Sequence, residues 1–239
     1  MRPNKHNVLV TGGTSGIGLA IARKFLSNDN RVVLVGRSDR KLRQALVDIP
    51  AAEGCLADVT IGADRERLVA SYPSTTILIN SAGTLFNASL CDISYQSTED
   101  EIAVNFSAPV HLSRLFIPVL CQAKAAAIIN ISSSLAIVPK QNAAVYAATK
   151  AALHSFSRSL RWQLEATSVR IFEVFPPLVE TPMTRDFTKR KLQPEEFSDH
   201  FWSGFQSDHY EMYIGRAKFL HFTNRLFPSI AELIMRRAE

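Results

Sequence analysis

Short, almost wholly apolar runs alternate along the chain with longer segments in which apolar residues recur every three or four positions. The short runs predict strands that are covered on both faces, because a half-exposed strand would alternate polar and apolar residues. These runs are 7–10, 31–35, 54–57, 75–80, 126–131 and 169–174. The longer segments predict helices at 17–26, 40–49, 64–71, about 96–122 and 145–165. The alternation therefore predicts an α/β fold: a doubly wound parallel sheet of six or seven strands with helices on both faces.

The regular alternation ends near Pro176. Residues 182–213 combine prolines, charges and aromatic residues, and they predict a lid over a ligand site rather than another strand–helix unit. An aromatic cluster within this segment has near-helical spacing and favours a helix packed on the core: Phe197, Phe201, Trp202 and Phe205. Residues 219–237 predict an amphipathic helical tail. Because no linker is visible, residues 1–239 are predicted to form one domain.

Composition narrows the class of protein. Of 239 residues, 46% are hydrophobic and 21% are charged, which is typical of a globular chain. Three scattered cysteines do not fit a disulfide framework or a zinc site, and no metal site is expected. The net charge of +5 is not gathered into one block, so nucleic acid is not an expected partner. Since no signal peptide or membrane span is recognisable, a cytoplasmic protein is expected.

A glycine-rich turn follows the first predicted strand and opens a helix. Glycine lets the backbone approach a pyrophosphate closely, and the helix N-terminus offers N–H groups and the positive end of its dipole. The spacing differs from Gly-x-Gly-x-x-Gly, so a plain strand–helix turn is the alternative. Its place after the first strand of a βαβ series favours a dinucleotide site. The candidate contacts in this turn are Thr11, Gly12, Ser15, Gly16, Ile17 and Gly18.

The end of the second predicted strand bears on the choice of nucleotide. NAD sites usually carry an acidic residue there, which binds the ribose 2′-hydroxyl. In this chain Gly36 stands at that position and Arg37 follows. A guanidinium can hold a phosphate through two parallel hydrogen bonds. Arg37 therefore favours NADP(H), with NAD(H) and a merely solvated arginine as the alternatives.

Polar segments also follow the later strands. Residues 80–83 read Asn-Ser-Ala-Gly, and 132–134 are three consecutive serines. Tyr146 and Lys150 are four positions apart and therefore share one face of a long helix. Together with the glycine turn, the pair Asp58-Val59, Asn105 and the segment from Pro176 to Thr181, they give the chain its resemblance to the short-chain dehydrogenase/reductase family over residues 7 to 181.

The resemblance implies a single Rossmann-type domain and an oxidoreductase that passes a hydride between NADP(H) and a small-molecule carbonyl or secondary alcohol. It implies a catalytic set of Asn105, Ser133, Tyr146 and Lys150. Ser133 is chosen because the family's serine precedes its tyrosine by thirteen positions, with Ser132 and Ser134 as alternatives. Asn105 would hold a water beside the lysine, with a role as a helix break or cap as the alternative. The remaining cofactor contacts would be Asp58, Val59, Asn80, Ala82, Gly83, Tyr146, Lys150, Pro176, Val179 and Thr181.

The proposed chemistry depends on the acidity of one phenol. A free tyrosine has a pKa near 10 and is a poor base at neutral pH. The Lys150 ammonium, with the positive nicotinamide ring, is expected to lower the pKa of Tyr146 so that it can exchange a proton with the substrate oxygen. Ser133 would donate a hydrogen bond to the same oxygen.

Several positions depart from the family pattern. Ser81 replaces an asparagine, and Pro177 replaces a glycine. A final strand is not recognisable after Tyr213: residues 214–216 are its remnant, or the sheet ends at strand six. The stretch 224–235 resembles the ending of a bacterial subgroup, the DltE-like oxidoreductases; packing on its own core or on a twin subunit is favoured over membrane contact.

The resemblance also implies a homodimer or homotetramer formed by the helices near 96–122 and 145–165. The main alternative function is an NADP(H)-binding regulatory or scaffold protein without turnover. Against it stands the intact catalytic set, which such proteins often lose. Epimerase or dehydratase work is a third option, although those relatives are usually longer.

Overall fold

A computed structural model describes residues 3–236. Its centre is a seven-stranded sheet with the order β3-β2-β1-β4-β5-β6-β7, in which every pair is parallel. The strands are β1 (Asn7–Thr11), β2 (Arg31–Gly36), β3 (Glu53–Leu56), β4 (Ile77–Asn80), β5 (Ala126–Ile131), β6 (Val169–Phe175) and β7 (Glu211–Tyr213). The predicted doubly wound Rossmann-type fold is confirmed. Because the strand order reverses between β1 and β4, the sheet opens a crevice there, at the carboxyl ends of its strands.

The helices lie on both faces of the sheet. They are α1 (Gly16–Leu26), α2 (Asp39–Asp48), α3 (Gly62–Ser71), α4 (Tyr95–Ile102), α5 (Ala108–Leu120), α6 (Ala144–Gln163), α7 (Pro194–Gln206), α8 (Arg216–Leu226) and α9 (Pro228–Arg236). Alternate residues of each strand point to opposite faces of the sheet and belong to two separate hydrophobic cores. In β1, Val8 and Val10 pack under α1 and α2, while Leu9 packs under α3 and α5. Both faces are therefore apolar, which is why the strands lack a polar–apolar alternation.

The predicted helix at 96–122 contains a π-helical turn. Helix α4 passes through this turn, Ala103–Ser107, into α5, and the whole stretch Tyr95–Leu120 spans 26 residues. Its length and composition alone would suit a membrane span. However, Leu112, Phe116 and Leu120 are buried against the sheet, as in a core helix.

The region predicted as a lid divides into different structures. Helix α7 packs against α1, where the rings of Phe25 and Trp202 lie 5.1 Å apart edge to face. Phe197, Phe201 and Phe205 are fully buried there, so the prediction that this aromatic cluster packs on the core is confirmed. The seventh strand is Glu211–Tyr213. It lies just before residues 214–216, which the sequence indicated as a possible remnant of a final strand. Only the part from about 182 to 192, with Glu196 on α7, lines the crevice.

The tail forms two helices, α8 and α9, so the predicted single helix is interrupted at Phe227. Leu220 and Ala231 are buried with Val138, which follows β5. The tail therefore packs on its own subunit beside the crevice, as favoured from the sequence. Residue 237, the predicted end of the tail, lies outside the described residues.

Candidate active site

The crevice at the carboxyl edge of the sheet is a cavity of about 1010 Å³. Most of the predicted site residues line it: Gly12, Ser15, Gly16, Ile17, Gly18, Arg37, Asp58, Val59, Ala82, Gly83, Ser133, Tyr146, Lys150, Pro176, Val179 and Thr181. These residues come from loops that follow all of the central strands. The parallel topology thus brings together residues that are up to 170 positions apart, as Gly12 and Thr181 show (181 − 12 = 169).

The glycine turn between β1 and α1 is shaped for close approach of backbone and ligand. Gly12 and Gly16 adopt positive φ angles of 64° and 54°, which glycine tolerates best. A Cβ on Gly12 would lie 2.7 Å from the Cα of Ala82, so the turn is packed directly on the loop after β4. The cap residue of α1, Ser15, makes no side-chain capping bond within the described chain. The first N–H groups of α1 are therefore available to an anion, and this cradle fits a dinucleotide pyrophosphate.

The far end of the cavity is formed after β2 and β3. Arg37, Ser38 and Lys41 line it beside Asp58. The side chain of Arg37 is 70% exposed, and its Nη1 lies 3.9 Å from Oδ2 of Asp58. The other oxygen of Asp58 accepts hydrogen bonds from the backbone N–H and the hydroxyl of Thr60, at 2.9 and 2.7 Å. Asp58 is thus held in place, while Arg37 remains free to turn towards a ligand.

Thr11, Asn80 and Asn105, three of the predicted site residues, are not part of the cavity wall. The hydroxyl of Thr11 accepts from the N–H groups of Ser81 and Ala82, at 3.1 and 3.3 Å. Asn80 donates to Oδ1 of Asn130 at 2.8 Å and so links β4 to β5. Both side chains fix the loop that forms the wall, and direct contact of Thr11 and Asn80 with the cofactor stays a prediction.

Asn105 lies in the π-helical turn and is fully buried. Its amide exchanges two hydrogen bonds of 2.9 Å with the backbone of Thr84: Nδ2 donates to the carbonyl, and Oδ1 accepts from the N–H. This pairing holds the loop after β4 against the helix. The side chain of Asn105 is therefore engaged by protein groups and acts as a support of the wall.

Ser133, Tyr146 and Lys150 meet at the centre of the cavity. The side chain of Ser133 lies beside the phenol of Tyr146 and lowers its pKa. Ser133 also accepts from the N–H of Leu135 at 3.1 Å, which fixes its side chain. Lys150 Nζ donates to the carbonyl of Ile131 at 2.8 Å and lies 5.6 Å from the centre of the Tyr146 ring. Of the three consecutive serines, Ser133 is therefore the one that acts on the phenol.

The acidity of the phenol differs from the expectation. Burial raises the pKa of Tyr146 to about 12; the hydrogen bond from Ser133 opposes this rise, and the nearby Glu101 carboxyl adds to it. Burial also lowers the pKa of Lys150 to about 8, against the attraction of Glu173. The expected lowering of the phenol pKa by Lys150 is not present in the protein alone, because desolvation dominates both groups. In the protein alone, burial therefore favours the protonated form of the Tyr146 phenol.

Three charged or titratable residues near the centre were not identified from the sequence. Glu101 is 1% exposed, accepts from the N–H of Phe86 at 2.7 Å, and has its pKa raised by burial. Glu173 in β6 is fully buried, and its Oε2 lies 2.7 Å from Nδ1 of His154. No local sequence pattern marks His154, because its partner Glu173 lies on another element of the fold. Glu101 alone had a local signal: it stands one helical turn before Asn105.

Replacing His154 by glutamine is expected to lower stability by about 1.5–3 kcal/mol at pH 6, because Glu173 would lose a charged hydrogen-bond partner. The bond to Glu173 raises the pKa of His154 in the folded state. The stabilisation is therefore complete below the unfolded value near 6.5 and is lost as the pH rises through the higher folded value. Urea unfolding at pH 6 and pH 9 measures it. His200→Gln, on exposed surface of α7, is the control, and an equal loss at both pH values would contradict this reading.

Comparisons with known proteins agree with this geometry. The family model for short chain dehydrogenases matches residues 6–192. "Uncharacterized oxidoreductase DltE" of Bacillus subtilis (strain 168) is 39% identical over 227 residues, covering 89% of each chain. "Uncharacterized oxidoreductase SERP2049" of Staphylococcus epidermidis is 33% identical over 199 residues, covering 80% of this chain and 86% of that protein.

Solved structures show the same fold. A short chain dehydrogenase from Burkholderia cenocepacia in complex with NADP superposes with a TM-score of 0.90 at 24% identity, covering 98% of this chain and 99% of that one. The 3-ketoacyl-(acyl-carrier-protein) reductase from Brucella melitensis, complexed with NADH, gives a TM-score of 0.80 at 25% identity, covering 84% and 91%. With its matching family model, its DltE-like relatives and its sheet order, this chain belongs to the short-chain dehydrogenase family of oxidoreductases.

Proposed function

We propose that this chain is an NADP(H)-dependent oxidoreductase that interconverts a carbonyl compound and the corresponding alcohol. The observation that carries the proposal is that Ser133, Tyr146 and Lys150 lie together in the same cavity as the glycine turn, with Lys150 Nζ 5.6 Å from the centre of the Tyr146 ring. Solved neighbours in complex with NADP and with NADH support a nicotinamide cofactor. When bound, that cofactor would supply or accept the hydride.

The chain's own residues would orient the substrate and move one proton. Tyr146 holds its proton in the protein alone, so in carbonyl reduction its hydroxyl would donate that proton to the substrate oxygen. Ser133 would donate a hydrogen bond to the same oxygen and stabilise the negative charge that develops there. Lys150 is anchored by the carbonyl of Ile131, so its remaining N–H groups would point a positive charge towards the phenol and the cofactor ribose. In the oxidative direction, this charge would favour the phenolate form of Tyr146.

The assay for this proposal follows nicotinamide absorbance while a panel of aldehydes, ketones and secondary alcohols is offered. Turnover of at least one class of carbonyl is expected, with NADPH as the better hydride donor. A regulatory or scaffold protein of the same fold would instead bind NADPH tightly in calorimetry and turn over no member of the panel. The pairing of Tyr146 with Ser133 favours the enzyme, since a scaffold has no need of it.

The preference for NADP(H) rests on the cavity end formed by Arg37, Ser38 and Lys41. These groups offer two positive charges and a hydroxyl, which suits a 2′-phosphate. A 2′-hydroxyl would instead call for a carboxylate after β2, where the chain has Gly36. The side chain of Lys41 starts on the first turn of α2, so it reaches the same space as Arg37.

Arg37→Ala is expected to weaken NADPH binding by roughly 10- to 100-fold, because a charged hydrogen-bonding partner of the 2′-phosphate is lost. NADH binding should change by less than about threefold, since NADH lacks that phosphate. Titration calorimetry with both nucleotides measures the two effects. Arg43→Ala is the matched control: Arg43 lies on α2, which begins just after Arg37, and it pairs with Asp39 at 2.8 Å on the exposed side of that helix. Equal affinity of the native protein for NADPH and NADH would overturn the assignment.

A further inference from the structure

Lys140 lies in the loop between β5 and α6, between the candidate catalytic residues Ser133 and Tyr146 in sequence. The residue is only 9% exposed, yet it lines the cavity. Its Nζ lies 4.6 Å from the centre of the Phe187 ring, which belongs to the segment over the cavity. The ammonium is thus held on the side of the cavity away from Arg37 and the glycine turn.

No carboxylate compensates this buried charge among residues 3–236. Within that part of the chain, the ammonium interacts with one protein group, the ring of Phe187, through a cation–π contact. Burial lowers the pKa of Lys140, and repulsion from Lys189 lowers it further. The ammonium opens onto the cavity without an ionic or hydrogen-bonding partner from the described part of the chain, whereas a largely buried charge is usually paired with such a partner. An anion in the cavity would supply it.

Neighbouring side chains give this part of the cavity a positive charge. Lys189 and Arg190 line it with Lys140, whereas Lys191, which also lines it, is already paired with Glu180 at 3.2 Å. Glu196 is the acidic residue on this side within the described lining. The rest of the wall near Phe187 is apolar, with Leu135 and Leu220. The space therefore suits a molecule that has an apolar body and an anionic group.

We propose that the ammonium of Lys140 binds an anionic group of the substrate, so that the enzyme acts on oxo or hydroxy compounds that carry a carboxylate or a phosphate. This inference rests on the proposed function for the reaction itself, and it names the substrate class of the same cavity. Lys140 makes no contact with the reacting atoms in this proposal: it is a specificity residue that binds the remote end of the substrate. Lys189 and Arg190 would add long-range attraction for the same charge.

The test compares matched charged and neutral carbonyls. The probes are 3- and 4-carboxybenzaldehyde, their methyl esters, and 4-formylphenyl phosphate, each reduced with NADPH. The native protein should prefer the charged aldehydes, with the carboxylate and phosphate members showing which anion fits. Lys140→Met keeps the length and apolar stem of the side chain but removes its charge. It is expected to lower kcat/KM for the charged aldehydes roughly 10- to 100-fold, mainly through KM, and to change that of the esters by less than about threefold.

Lys124→Met, a change at an exposed lysine before β5, should leave both substrate classes unchanged. Lys140→Arg should retain most of the preference for charge, which a merely structural role for the lysine would not predict. Equal losses for acids and esters in Lys140→Met, or no preference for charge in the native protein, would overturn the proposal.

A binding measurement separates this proposal from the proposed function. Isophthalate, which carries carboxylates but no reducible carbonyl, is titrated into the native protein and Lys140→Met in the presence of NADP⁺. Binding to the native protein that Lys140→Met abolishes supports the anion site even if no aldehyde is reduced, in which case the proposed function alone fails. Equal binding to both proteins, or binding to neither, contradicts the anion site.

Discussion

Tyr146→Phe is expected to lower kcat for carbonyl reduction by about 10²- to 10⁴-fold, because it removes the one hydroxyl proposed to give its proton to the substrate oxygen. The ring itself stays, so the packing around this 9%-exposed side chain should be retained. NADPH affinity should therefore change by less than about threefold. The loss should appear in kcat rather than in the dissociation constant of the cofactor, since the proton moves only as the reaction proceeds.

Steady-state kinetics on the best substrate of the panel, with fluorescence titration of NADPH, measure both quantities. Tyr95→Phe is the matched control: it makes the same chemical change at a phenol that is 79% exposed at the start of α4. Activity of Tyr146→Phe within about threefold of the native rate would assign the proton to another group. The rival scaffold function predicts that neither protein turns over any substrate, so the two outcomes are distinguishable.

The pKa values of the central residues also bear on the direction of the reaction. Because the pKa of Tyr146 is raised to about 12, the protein alone holds the phenol in its protonated form, which is the form needed to reduce a carbonyl. Oxidation of an alcohol needs the phenolate, and only added positive charge would make it accessible at neutral pH. Lys150, with a pKa of about 8, loses part of its own charge in mildly alkaline solution. The protonated phenol of the protein alone is therefore the form that the reductive half of the proposed reaction needs.

Residues close together in sequence were the predictable part of the site. The glycine turn, the serines, and the pair Tyr146 and Lys150 each lie within one loop or one helical turn, so their spacing indicates their geometry directly. The strands of the central sheet were predictable for a similar reason, since short, mostly apolar runs that alternate with helical segments indicate buried parallel strands. The catalytic roles and the pairing of α4, α5 and α6 between subunits stay predictions.

Contacts made across the fold were not predictable. Glu173 and His154 form a pair only because α6 packs over β6, and nothing in their local sequence indicates it. Strand β7 has three residues, Glu211–Tyr213, too few for a periodicity to appear. Its position depends on pairing with β6. Likewise, Lys140 looks like an ordinary loop lysine in the sequence, because Phe187, whose ring its ammonium contacts, lies 47 positions further along the chain.

Gly18→Ala is expected to destabilise the protein by about 3 kcal/mol or more and to weaken NADPH binding about 100-fold. A Cβ on Gly18 would lie 2.4 Å from the carbonyl oxygen of Gly12 and 3.0 Å from its carbonyl carbon. Both are backbone atoms. Because Gly12 is itself packed tightly against the backbone of Ala82, the Gly12 backbone has no room to move away from the added methyl group. Helix α1 would have to move away from the turn, which separates its N-terminal N–H groups from the remaining phosphate contacts.

Urea unfolding and NADPH titration of Gly18→Ala test the importance of this close contact between α1 and the glycine turn. Gly62→Ala is the matched control, because it also puts a methyl group in the first turns of a helix, α3, yet its Cβ would meet only the tip of Arg65 at 3.7 Å. The control should keep or slightly gain stability, since alanine is a better helix former than glycine. If both variants bound NADPH as the native protein does, close packing of α1 on Gly12 would not be what shapes the anion cradle. If Gly18→Ala alone loses both stability and affinity, the same contact holds the fold and forms the cofactor site.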